Sequence, residues 1–287
     1  MLAPLQLERR FGQQPVDTSG WLACLRLRFN WNQGRTGLKF RHEGPLRIQK
    51  ALYPDGTHCC HAVVVHPPGG IAAGDRLRLD IDVEPSAHAV VTTPSATKWY
   101  GAFDGAVASQ TVDIALQGRV EWLPAETIVF DTAQVSSVIR VSAHAQASMI
   151  GWDLLVFGRH GSGERFLSGQ FDQHLCVMFG DTPIWIDRLR VAGSDALFDS
   201  PVGFDGHHAV STFWVIAPED APFDDSFMEQ LRQAVPEMAF TCLHRRLLVG
   251  RKLGDPIQLD ATLKRAWAWV RHHGWCLPAT HLRLWAT

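Results

Sequence analysis

Between Arg76 and Glu84 apolar and charged residues alternate without a break. Leu77, Leu79, Ile81 and Val83 fall on one side, and Arg76, Arg78, Asp80, Asp82 and Glu84 on the other. A period of two is the signature of a strand with one face buried, because successive side chains point to opposite faces. The same alternation runs through Trp21–Phe29, where Leu25, Leu27 and Phe29 oppose Arg26 and Arg28. Further strands are expected at residues 60–66, 87–93, 107–116, 120–123, 135–142, 170–179, 182–191 and 208–217. Turn residues punctuate them at Pro54-Asp55-Gly56, Pro67-Pro68-Gly69-Gly70, Pro85-Ser86 and Gly180-Asp181. So many short strands predict an all-β body of sandwich, barrel or solenoid type. No repeated sequence motif marks a regular solenoid.

Helical spacing is concentrated near the C-terminus. Asp224 and Asp225 precede Phe227, Met228, Leu231 and Val235, which share a helix face. Asp260 is the expected N-cap of a second helix carrying Leu263, Ala266, Trp267 and Val270, with Arg271, His272 and His273 suiting its C-terminal dipole and Gly274 its stop. The apolar run 148–157 reads as a short helix. With 287 residues and no low-complexity linker, the chain is expected to form a single domain, 1–287.

A formal net charge of -2 argues against general nucleic-acid binding, which needs a basic excess. No apolar run reaches the roughly 20 residues that cross a bilayer. Met1–Arg10 lacks the apolar core of a secretory signal. The six cysteines are scattered, with Cys59 and Cys60 adjacent and no CxxC, which suits reduced thiols in the cytoplasm.

Several places could carry chemistry. The loop His66-Pro67-Pro68-Gly69-Gly70-Ile71-Ala72-Ala73-Gly74-Asp75 combines fixed and permissive backbone, and a rigid corner is its plainest role. It lacks the Gly-Lys-Ser/Thr ending of a nucleotide-binding P-loop. Thr97 and Lys98 follow a strand in a hydroxyl-rich segment suited to an anion. Asp153 stands in the apolar run Gly151–Phe157, where an unpaired carboxylate is costly, so it requires a hydrogen-bonded partner, a cation or water. Asp187 lies in a similar strand, where an ion pair would account for it. The 14 histidines include the pairs His58/His61, His207/His208 and His272/His273, none at zinc-motif spacing. Neither HExxH nor a GxSxG elbow occurs, so no hydrolytic site is nominated.

Taken in order, these segments resemble the UreD family of urease accessory proteins (UreH in some bacteria). His66-Pro67-Pro68-Gly69-Gly70-Ile71 with Gly74-Asp75 is similar to the family's HPPGGIVGGD signature. Thr93–Tyr100 resembles T-x-G-A-[ST]-K-[FW]-Y, and Glu121-Trp122-Leu123-Pro124 with Glu126–Phe130 resembles EWLPQ and ETI-x-F. Trp152-Asp153 with Gly158-Arg159 matches WD-x-x-x-x-GR, and Leu282–Trp285 resembles a C-terminal R-x-W. Ala72-Ala73, Ser95, Ala125 and Gly101 depart from the commoner residues; the last removes a basic residue that often follows the tyrosine.

The resemblance implies a β-helix-like body of many short strands with a few peripheral, mainly C-terminal helices. It implies a non-enzymatic scaffold in a hetero-oligomer with UreF and the GTPase UreG on apo-urease, conveying nickel through an internal route. The matched positions on or beside that route are Asp75, Thr97, Asp153 and Asp187, with nickel(II) held transiently and no tightly bound cofactor. Two other classes stand beside this one: a β-rich hydrolase pairing Asp75 with Asp153, and a β-solenoid binding module.

Overall fold

The computed structural model describes residues 20–102, 104–278 and 285. Met1–Arg10 and Leu282–Leu284 of the C-terminal motif lie outside the described residues. The chain opens with β1 (Leu22–Asn32) and β2 (Arg35–Glu43), an antiparallel hairpin, then β3 (Arg47–Leu52) and β4 (Cys59–Val65). Next come β5 (Arg76–Val83), β6 (His88–Thr92), the short β7 (Thr97–Trp99), β8 (Ala108–Leu116) and β9 (Arg119–Leu123). The short β10 (Thr127–Val129) precedes β11 (Gln134–Ala143), β12 (Ser148–Phe157), β13 (Gln170–Phe179) and β14 (Thr182–Ala192). The last part holds β15 (Ala209–Ile216), α1 (Asp225–Ala234), β16 (Ala239–His244), β17 (Leu247–Leu253) and α2 (Pro256–Trp275).

These strands build two mixed sheets, neither closed into a barrel. The first has the order β14-β13-β11-β8-β5-β1-β2, and the second β16-β17-β15-β12-β9-β6-β4-β3 with β7 and β10 attached at one side. From β4 to β13 the long strands alternate between the second sheet and the first, so like strands stack in parallel. The body is therefore strand-dominated with both helices late in the chain, as expected.

Burial explains the layering. On β5 the apolar set Leu77, Leu79, Ile81 and Val83 faces the second sheet and is buried. Its charged set joins an outer ladder: Arg26 with Asp80, Arg28 with Glu84, and Arg78 and Arg140 both with Asp113. Such exposed pairs contribute little each, about 0–1 kcal/mol, but they keep that face wet. Between the sheets lies one core, with Phe29, Trp99, Phe157, Phe171 and Trp214 among its largest members. A second core fills the gap between the far face of the second sheet and the two helices, around Phe213, Leu231, Leu263 and Trp267.

Two expectations are corrected here. Residues 148–157 form β12, not a helix, and all 10 are buried. Because β12 is covered on one face by the first sheet and on the other by the helices, it has no polar side and hence no alternation to read. The second helix begins a turn before Asp260. Its N-cap is Asp255, whose carboxylate accepts from the Ile257 and Gln258 N–H groups, with Pro256 in the first helical turn. Asp260 instead pairs with Lys264 one turn on. The helix passes Gly274 and stops at Cys276, which takes a left-handed conformation (φ 52°). The cap at Asp224 is as expected, its carboxylate accepting from Phe227 N–H at 2.7 Å.

Candidate functional site

Three adjacent parallel strands of the first sheet place one polar side chain each among apolar neighbours on the inner face. The inward positions read Ala108-Gln110-Val112 on β8, Val135-Ser137-Ile139 on β11 and Phe171-Gln173-Leu175 on β13. Register aligns Gln110 with Ser137 and Ser137 with Gln173, giving a polar row with members about 4.8 Å apart. Opposite this row, β12 turns Met149, Asp153, Leu155 and Phe157 inward, while Ile150, Trp152, Leu154 and Val156 face the helices. The packing is incomplete between them. A cavity of about 130 Å³ remains, lined by all three row residues together with Asp153, Thr97 and His66.

Asp153 is 7% exposed and accepts a 2.5 Å hydrogen bond from Gln173 Nε2. Burial raises its pKa to about 6, and the charge of Asp187 pushes the same way, while bonds from Gln173 and the Leu154 amide pull back. It is thus anionic at neutral pH but takes up a proton in mild acid. Asp187, on β14, is held in an ion pair with Arg251 of β17, which crosses from one sheet to the other. His66 Nε2 is buried and has no hydrogen-bond partner among the described residues. Burial depresses the His66 pKa, against the opposing charge of Asp75.

Asp75 does a different job from Asp153. One carboxylate oxygen accepts from Trp21 N–H at 2.8 Å and the other from Ala72 N–H at 2.9 Å. It stands outside the cavity lining and braces the corner that β5 leaves. Thr97 and Asp153 therefore share the cavity, whereas Asp75 and Asp187 lie outside its lining.

The motif segments meet at one side of the body. Ile71 N–H donates to Lys98 O, Phe130 N–H to Trp99 O and Gly158 N–H to Val129 O, so four loops stack as rungs. The Tyr100 ring lies edge-on to Phe130, over which the Arg159 guanidinium sits at 4.4 Å. Arg159 in turn pairs with Glu164. A Cβ on Gly70 would stand 2.5 Å from the Tyr100 ring. Gly70→Ala is accordingly expected to cost about 1–3 kcal/mol by displacing that ring, read as a fall in urea midpoint at unchanged slope. The Trp152 indole N–H donates to Pro124 O at 2.7 Å, tying the fourth motif to the third.

A sequence profile of the UreD urease accessory protein family matches residues 22–286. The chain is 40% identical to urease accessory protein UreD of Cupriavidus metallidurans, with 96% of this chain and 98% of that protein covered. It is 36% identical to that of Delftia acidovorans, covering 95% and 97%, and 40% identical to that of Dechloromonas aromatica, covering 96% and 97%. The chain belongs to the UreD family. UreD proteins are named as urease accessory proteins, and in this chain the Asp75 carboxylate is committed to two backbone amides. In this UreD chain no described helix is long and apolar enough to cross a membrane.

The sequence pattern alone did not single out Gln110, Ser137 and Gln173, although each is a polar residue at an inward position of a predicted strand. It also passed over a group on the other face of the second sheet. His58 is exposed and does not pair with His61, whose neighbours are Asp55 and Cys59. His208 stacks on His160 with centroids 3.4 Å apart, and His272 and His273 lie exposed in the last turn of α2.

Proposed function

We propose that this chain serves urease maturation as a non-enzymatic chaperone and scaffold, joining UreF and UreG on apo-urease in a cytoplasmic hetero-oligomer. Nickel(II) is its cargo and passes through the cavity between the sheets. The winding of strands between the two sheets is β-helix-like in this reading, and it leaves an interior that side chains fill only in part.

The observation that carries the proposal is the polar row of Gln110, Ser137 and Gln173 facing a single buried carboxylate, Asp153. A conduit must attract a cation and then release it. Amide, hydroxyl and one carboxylate oxygen hold nickel less firmly than clustered imidazoles or thiolates do. Thr97 and Asp153 contact the cargo, and Asp75 and Asp187 set the field at His66 and Asp153.

The test is activation of apo-urease by UreF, UreG, GTP and nickel, with and without this chain. Urease activity that depends on the chain is the expected result. Equal activity without it, in a system competent to mature urease, would refute the scaffold role.

A further inference from the structure

The helix-facing side of the second sheet carries a second group of reactive side chains that the cavity does not use. β4 supplies Cys59 and His61, β6 supplies His88 and β9 supplies Glu121, and all four are buried. Asp55, from the turn before β4, and Arg271, from α2, complete the group with side chains 3% and 1% exposed. His88 Nε2 lies 2.7 Å from Glu121 Oε1, and Trp267 N–H donates to Glu121 Oε2 at 2.5 Å. Arg271 donates to Asp55 Oδ2 at 2.5 Å and stands 3.6 Å from Glu121.

A clamp of ion pairs accounts for two carboxylates and an arginine. It gives no reason for a thiol whose sulfur lies with a His88 nitrogen and a Glu121 oxygen, all three within 4.8 Å of one another. Sulfur, imidazole nitrogen and carboxylate oxygen together are the donor set of borderline divalent ions such as zinc and nickel. Asp55 and Glu121 are both faced by the Arg271 guanidinium. Arg119 is the other cation facing the group, at the rim, with its guanidinium over the Trp275 ring at 4.6 Å.

We propose that Cys59, His88 and Glu121 bind one divalent transition-metal ion that pins α2 to the second sheet, with Arg271 and Asp55 held around the ligands. On loading, the sulfur–metal bond forms as the Cys59 proton leaves to solvent, and the His88 proton resides on Nδ1 so that Nε2 is free to ligate. No oxidation or reduction is involved. The ion adds two positive charges and one proton leaves, a net gain of one positive charge beside Asp55 and Glu121. Tetrahedral ligand atoms stand about 3.3–3.6 Å apart, so the 2.7 Å His88–Glu121 pair opens as the ion enters between them. Because α2 covers the site, the ion enters as the chain folds. The site is on the opposite face of the sheet from Asp153 and is independent of the cavity's role.

The probe is cobalt(II), supplied while the full chain refolds, with excess removed afterwards. One cobalt per chain, a thiolate-to-cobalt charge-transfer band and a higher unfolding midpoint than the metal-free chain are expected. Cys59→Ala and His88→Ala should lose the band and the gain in midpoint, while His61→Asn and Asp153→Asn keep both. Cys59→Ala places one small apolar side chain for another and so separates loss of metal from loss of fold, which the far-ultraviolet spectrum checks. Cobalt uptake no greater than that of Cys59→Ala would overturn the site, as would a band that survives in either ligand variant or disappears in His61→Asn. A failure of Asp153→Asn in urease activation with its cobalt band intact would leave this site standing apart from the cavity.

Discussion

Replacing Glu121 by alanine is expected to lower the unfolding free energy by about 3–5 kcal/mol, the range for breaking one side of a buried charge pair. The carboxylate is 0% exposed and answers three groups at once. Burial alone would push its pKa up, yet the His88 hydrogen bond, the Arg271 charge and the Trp267 N–H together hold it below the ordinary value. Alanine leaves an indole N–H and a guanidinium facing each other with their shared acceptor gone. For a chain of this size the thermal midpoint should fall by on the order of 10 °C, measured by circular dichroism. Glu121→Gln keeps the shape and an acceptor but not the charge, and should fall between. A loss under about 1 kcal/mol for the alanine variant would show that water reaches the group and repairs it. The sign with pH follows from the depressed pKa: the stabilisation is present above the unfolded value and is lost as pH falls through the folded one.

Asp153→Asn should do the reverse to stability while removing function. The folded pKa of about 6 stands above the ordinary 3.8, so the native state holds the proton more tightly than the unfolded chain does. Stability therefore declines as pH rises from about 4 to about 6, by on the order of 3 kcal/mol if the whole shift is realised. Asparagine carries no such charge and still accepts from Gln173. The variant is expected to be more stable than the parent at pH 7.5 by up to that amount, with the difference closing below pH 4. In the same protein, urease activation should fall toward the level seen without the chain while the accessory complex still assembles. Melts that coincide at pH 7.5 would mean the carboxylate is already solvated. Normal nickel loading would remove Asp153 from the route. A residue that costs stability where it is charged and is needed for activity fits the usual trade between the two.

Much of the secondary structure was readable from neighbouring residues. The alternation of β1 and β5, the turn at residues 67–70 and the cap at Asp224 each depend on contacts within a few positions. Asp255-Pro256 is a stronger start signal than Asp260, since proline in the first turn gives up an N–H that is unpaired there in any case. Asp153 stood out as a carboxylate in an apolar run, and its cavity position bears on why it is tolerated. Asp75 sat in an equally recognisable motif, but its partners are backbone amides, which no side-chain pattern announces.

The amino-acid sequence by itself determined that this would be a strand-rich body with late helices, and its ordered motifs pointed to the family. Those properties arise from the period of the backbone and from short turns, which are local. Only the tertiary structure decided what each polar residue meets. Gln110, Ser137 and Gln173 are separated by 27 and 36 positions and become neighbours through parallel register alone. Asp55 and Arg271 are 216 residues apart and touch because α2 folds back over β4, β6 and β9. Strand pairing and helix docking are settled by burial of the whole chain, so a site assembled from one residue per strand leaves no contiguous trace in the sequence.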